Sequence, residues 1–226
     1  MHHRTSREGV RRLSVAQFLI ALVALIVVTP FVEELPQGPL IESILITVVL
    51  LTAVFAVGGR RRSLLIAGVL VIPAVAGAWL HHAAPHSVPR TAGVMAGIVF
   101  SLFVIGHLIA FIMRAGRVNS EVLCAAIATY LMLGVVGAMA YELVWRISPE
   151  SFILAGRAKD KSFDGFEALY FSFSTLAPIN DNDVLPRSNL ARMLVMVQAT
   201  VGMLYMGMLI ARLVGIYSNE EAAERG

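Results

Sequence analysis

The chain has 226 residues, 58% of them hydrophobic and 15% charged, with a formal net charge of +3. A water-soluble domain of this size needs more polar surface to cover its core, so the composition excludes one. The basic balance does not point to a nucleic-acid partner either, because the arginines gather in short loops between apolar blocks, as membrane topology demands.

Those blocks reach roughly 18 residues or more, enough to cross a hydrocarbon layer of about 30 Å. They predict an all-α integral membrane protein of about six transmembrane helices. Residues 1–12 are a basic cytoplasmic N-terminus, and the first span runs from Leu13 to Val32. A basic start before an apolar run resembles a secretory signal. This run is longer than a signal's apolar region and no small-residue cleavage site follows, so a retained span is expected. An acidic, turn-rich loop, Glu33-Glu34-Leu35-Pro36-Gln37-Gly38-Pro39, leads to span two, Leu40 to Val57, which stops at Gly58-Gly59-Arg60-Arg61-Arg62. Span three, Ser63 to Leu80, carries Pro73 at its middle, a kink that neighbouring helices can tolerate. After a loop from His81 to Arg90, span four runs from Ala92 to Met113 and ends at Arg114-Ala115-Gly116-Arg117. Span five covers Glu121 to Trp145 and the last span Leu190 to Tyr217. This divides the chain into a four-helix region, 13–117, a second module, 118–217, and a short cytoplasmic tail, 218–226, too short for a fused ligand-binding domain. The sole cysteine, Cys124, lies in an apolar stretch, so no intramolecular disulfide is available and a cysteine-based metal site is not expected.

If the spans alternate, Arg4, Arg7, Arg11 and Arg12, then Arg60 to Arg62, then Arg114 and Arg117 share one side. That side is expected to be cytoplasmic, with both termini inside the cell's inner or plasma membrane. Arg157, Lys159 and Lys161 run against this assignment, but Glu150, Asp160, Asp164 and Glu167 lie in the same segment.

Between the last two spans the chain is neither loop nor span. Asp164-Gly165-Phe166-Glu167 has the form of a capping box. Phe166 to Leu176 is helical in pattern, with Phe166, Tyr170 and Phe173 on one face. The segment is too short to span, and Pro178 disfavours helical geometry at Ala177. A short helix that enters and stops is a re-entrant pore helix, tolerated only where protein or water covers its backbone groups.

The stretch Y-F-S-F-S-T-L-A-P-I-N-D-N-D-V-L-P, Tyr170 to Pro186, resembles the pore loop of two-transmembrane-type potassium channels, in which a pore helix runs into T-T-V-G-Y-G-D and then a proline. Ala191-Arg192, Val201-Gly202, Leu204-Tyr205 and Leu209 to Gly215 are similar to the inner helix of bacterial members. Tyr141-Glu142-Leu143 and Ser148 to Phe152 are similar to the end of the outer helix. The resemblance covers roughly Glu121 to Tyr217 and leaves the first four spans outside. It implies a cation-conducting homotetramer in the lipid bilayer, with Thr175, Ala177, Pro178, Ile179, Asn180, Asp181, Asn182 and Asp183 as pore and filter residues. Aligned without gaps, Ala177 and Pro178 replace the two threonines, Ile179 the valine, Asn180 and Asn182 the two glycines, and Asp181 the tyrosine. Asp183 keeps the family's aspartate.

These replacements have physical consequences. Filter carbonyls stand in for an ion's hydration shell, which requires left-handed backbone at the glycines. Asparagine tolerates that geometry better than most other residues. Pro178 has no hydroxyl for an innermost ion site, and Asp181 puts a carboxylate where an aromatic ring would pack. A wider filter, ringed by carboxylates and weakly selective for monovalent or divalent cations, is expected. Asp181 and Asp183 otherwise only cap loop amides, and Asn180 and Asn182 equally suit Asx turns.

Other residues leave two readings open. Gly202, Met206 and Gly207 suit an inner-helix gate or close helix packing, and Gly93 and Gly97 also suit packing. His107 is an ionisable group inside span four, either functional or neutral and bonded to a neighbour. His81, His82 and His86 lie in a proline-interrupted loop with no carboxylate nearby, which argues against a metal site. Glu142 either anchors behind the filter or pairs with Arg146. Span four lacks arginine at every third position, so steep voltage dependence has no source. No nucleotide loop, nucleophile motif or metal-binding helix motif is present, so neither an enzyme nor a resident cofactor is expected. A non-conducting scaffold or partner subunit is the alternative to a channel. The topology has a direct check: after Cys124 is replaced, a cysteine at position 160 is expected to label only from outside the cell. Labelling only from the cytoplasm would reverse the topology and remove the pore loop.

Overall fold

The computed structural model describes residues 2–32, 35–57, 61–83, 90–117, 119–154, 163, 165–177, 179 and 184–225. The helices are α1 (His2–Val32), α2 (Gly38–Ala56), α3 (Arg61–Ala83), α4 (Arg90–Arg114), α5 (Ser120–Ile147), the short α6 (Gly165–Leu176) and α7 (Asn189–Arg225). All but α6 are long and apolar enough to cross a membrane, so the chain is an all-α multi-pass membrane protein with one shorter helix between its last two spans. The helix of span one starts at His2 and takes in the basic residues before it, while α7 runs on to Arg225, past Tyr217.

Local chemistry accounts for several helix ends. Pro39 sits in the first turn of α2, where a missing backbone N–H costs no helical bond. Asn119 caps α5, its side-chain oxygen accepting the Val122 N–H at 2.9 Å. Pro30 and Pro73 lie inside α1 and α3 without ending them.

Helix α5 is the shared wall of the molecule. On its first half it joins α1 to α4 in one apolar core that includes Phe18, Leu22, Ala53, Phe100, Leu108 and Met132. On its second half it joins α6 in another, built on Tyr141, Val144, Phe163, Leu169 and Phe171. Half of the α5 span is buried within the chain, against 11% of the α7 span, so α7 meets its own chain along a narrow strip only. At the crossing of α3 and α4, the backbones of Gly77 and Gly93 touch: a Cβ on Gly93 would lie 2.8 Å from the Gly77 Cα. Small residues permit such an approach. Gly97, one turn on, faces the Met139 methyl of α5 instead.

One element was not foreseen. Strands β1 (Phe152–Leu154) and β2 (Val184–Pro186) pair antiparallel, Phe152 opposite Pro186 and Leu154 opposite Val184. They extend from a 3-10 turn at Pro149–Ser151, whose Ser151 carbonyl accepts the Arg187 N–H at 2.8 Å. Three apolar residues have no readable period, so a strand this short cannot be told from a helix end in sequence. The clasp holds the exit of α5 beside the entry of α7. The glycine crossing can be checked by thermal unfolding in detergent. Gly93→Ala is expected to cost about 1–3 kcal/mol through overpacking, whereas Gly106→Ala, with nothing within 4 Å of the added methyl, is expected to be neutral. Equal behaviour of the two would refute the crossing.

Candidate functional site: the pore module

Helix α6 begins at Gly165, whose φ of 56° lies in the left-handed region that a side chain would strain. The chain can therefore turn sharply into the helix here. Ala168, Leu169, Phe171, Ser172, Ser174 and Leu176 are buried along it. At its entry an aromatic cluster closes on α5. The Tyr141 ring meets Phe171 edge-on at 4.9 Å and Phe152 at 5.8 Å, and Phe163 lies 4.9 Å from Phe152. Such pairs add to their burial through ring electrostatics.

Deeper in, Ser172 ties three helices together. Its hydroxyl donates to the Gly134 carbonyl of α5 at 2.5 Å, and the Gln198 amide of α7 donates to Ser172 Oγ at 2.6 Å. Gly134 and Gly137 make the room. A Cβ at Gly134 would strike the Phe173 ring, and one at Gly137 would come within 2.5 Å of Ser172 Oγ. At the far end of α6, a Cβ on Gly202 of α7 would lie 2.5 Å from the Leu176 carbonyl oxygen. Sequence reading passed over Ser172 and Gln198. Their signal was polarity at the centre of apolar helices, where a group without a partner is costly.

Of the residues expected to form the filter, Thr175, Ala177 and Ile179 are described, in the last turn of α6 and just beyond it. Thr175 donates its hydroxyl back to the Phe171 carbonyl at 2.8 Å. The Ala177 N–H reaches Phe173 O at 2.9 Å, and the Ile179 N–H reaches Ser174 O at 3.0 Å, a wider closing bond across the residue whose ring removes the N–H. The Ile179 side chain is exposed. Pro178, Asn180, Asp181, Asn182 and Asp183 lie outside the described residues, as do Asp160, His86 and the Asp164 of the capping box.

On α7, Met206 is exposed and a Cβ on Gly207 would meet nothing within 4 Å, so only Gly202 of these residues packs closely in a single chain. Further along, Tyr205 donates to the Ala126 carbonyl at 2.7 Å. The Arg212 guanidinium donates to the carbonyls of Ala115 at 2.6 Å and Met113 at 3.1 Å, at the C-terminal end of α4. A cation is favoured there by the helix dipole. His107 Nε2 lies 3.1 Å from Ser63 Oγ, and Glu142 accepts from Arg146 at 2.6 Å. His81 and His82 fall in the last turn of α3, and among the described residues no three potential His, Cys, Asp or Glu ligands gather in one place.

Comparison with known proteins agrees with this geometry over one part of the chain. No curated protein and no solved structure matches. A family model described as an ion channel matches residues 123–219, from the first turn of α5 through α6 into the last turns of α7. Over that stretch the chain is similar to an ion-channel pore domain, carried in a multi-pass membrane protein whose first four helices lie outside the match.

Proposed function

We propose that the chain is a cation channel, a homotetramer in the cell's inner or plasma membrane, with both termini cytoplasmic and a weakly selective filter. The observation that supports this best is the seat of α6. A 12-residue helix is held between an outer and an inner helix, and its C-terminal end leads straight into the loop of Asn180 to Asp183. The negative end of a helix dipole favours a cation there, and two carboxylates in the loop add to the same preference. A single copy of such a loop cannot enclose an axis. The face of α7 left open, including Met196, Leu204 and Ile210, supplies apolar surface for neighbouring copies.

Potassium selectivity relies on several consecutive carbonyl rings; Pro178 forfeits one site's hydroxyls, and Asn180 and Asn182 make the glycine geometry costlier to hold. Four Asp181 carboxylates near an axis repel one another unless water or a bound cation separates them. Asp183 takes the place of an aspartate beside the filter, so Asp181 is the residue that acts on permeation. Span four has no lysine or arginine between Thr91 and Met113, which removes the charge that a steep voltage response requires.

The decisive measurement is cation flux and reversal potential for purified protein in liposomes. The parent is expected to pass sodium and potassium with little preference and to show no steep activation with voltage. Asp181→Asn is expected to alter cation preference or divalent block, with Asp183→Asn having the smaller effect. Strong potassium selectivity would refute the wide filter, and an unchanged Asp181→Asn would remove that residue from the permeation path. Mass measurement in mild detergent is expected to give a tetramer, whereas monomers or dimers alone would rule out a central fourfold pore.

A further inference from the structure

Tyr141 brings a hydroxyl into the aromatic cluster between α5 and α6. The residue is 1% exposed, and its ring is held by Phe171 at 4.9 Å and Phe152 at 5.8 Å. Phe163 packs against both of those rings in turn. Held this way, the hydroxyl cannot swing out to water. Tyr141 Oη is buried and completes no hydrogen bond among the described residues, and a buried hydroxyl without a partner is costly. The side-chain group that it approaches is the Thr175 hydroxyl. Thr175 lies one turn beyond Phe171 on the same face of α6, the face that the Tyr141 ring touches.

The direction of a bond between them is set. A hydroxyl has one proton and two lone pairs, and the Thr175 proton goes to the Phe171 carbonyl. Thr175 is therefore an acceptor, and Tyr141 is a donor in need of one. We propose that Tyr141 donates to Thr175 Oγ1 and so acts as a positioning residue for the filter loop. The bond completes a chain from Tyr141 through Thr175 to the Phe171 carbonyl, and hydroxyls linked in series polarise one another. It anchors the last turn of α6 to α5. That turn gains from an anchor, because Pro178 supplies no N–H between the closing bonds of Ala177 and Ile179. The effect on ion passage rests on the channel reading above, whereas the bond stands on the packing of α5 and α6 alone.

The test compares the full-length parent, Tyr141→Phe, Thr175→Val and the double variant by thermal unfolding and amide hydrogen exchange in phosphatidylcholine nanodiscs. Tyr141→Phe keeps the ring and removes one oxygen. Loss of a bonded hydroxyl is expected to lower the melting temperature by about 2–4 °C. Exchange of the segment 175–179 is expected to quicken about fivefold, the opening factor of one net hydrogen bond, with α3 and the first half of α5 unchanged. In the Thr175→Val background the sign reverses: Tyr141→Phe is expected to raise the melting temperature, because it removes a donor that valine has stranded. Should Thr175→Val fail to fold, Tyr141→Phe in the parent decides. An unchanged or higher melting temperature for Tyr141→Phe in the parent would overturn the bond, as would exchange that quickens equally along the chain. In liposomes, Tyr141→Phe is expected to shift divalent block of the cation flux, and an unchanged block would overturn the positioning role. A parent that passes no ions would sink the channel reading, while unfolding and exchange still decide the bond.

Discussion

A helix that ends inside the membrane must have its free backbone groups and its polar side chains covered by protein, and here that cover is the contact of α6 with Gly134, Gly137 and Gln198. The Ser172 hydroxyl serves as donor to α5 and acceptor from α7, so one side chain satisfies polar groups from three helices. In low dielectric such bonds are stronger than in water, and leaving one unmade is correspondingly expensive. The two glycines on α5 set how closely α6 can approach; any side chain there would lift the pore helix off its seat.

Glycines act differently in the two halves of the molecule. On α5 and α7 they are filled by a neighbour: the Phe173 ring over Gly134, Ser172 and Gln198 against Gly137, the Leu176 carbonyl against Gly202. On α3 and α4, Gly77 and Gly93 let two backbones touch, each filling the place of the other's missing side chain. The first arrangement seats a short helix, and the second brings two spans into backbone contact. Both follow from the absence of a hydrophobic force between helices in lipid, where close packing and hydrogen bonds must provide the association.

Helix α7 is fastened to its own chain at three levels, by Gln198 to α6, by Tyr205 to α5, and by Arg212 to the carbonyl end of α4. The last of these joins α4 to α7 directly.

The spans were legible in the sequence because lipid allows few alternatives: apolar length and flanking arginines define a membrane helix almost alone. The re-entrant helix was legible too, since Pro178 stops a segment too short to cross, and the structure ends α6 at Leu176. The resemblance around Tyr170 to Pro186 likewise pointed to the stretch that matches ion channels. What tertiary structure alone decided were the partners. Sequence left Glu142 between two roles, and geometry set it against Arg146. It marked Gly202 and Gly207 alike, yet only Gly202 meets another backbone. The β1–β2 clasp and the Ser172 junction join residues far apart in the chain. Periodicity describes which face of a helix is apolar, but not which distant face it meets or where a missing side chain leaves space.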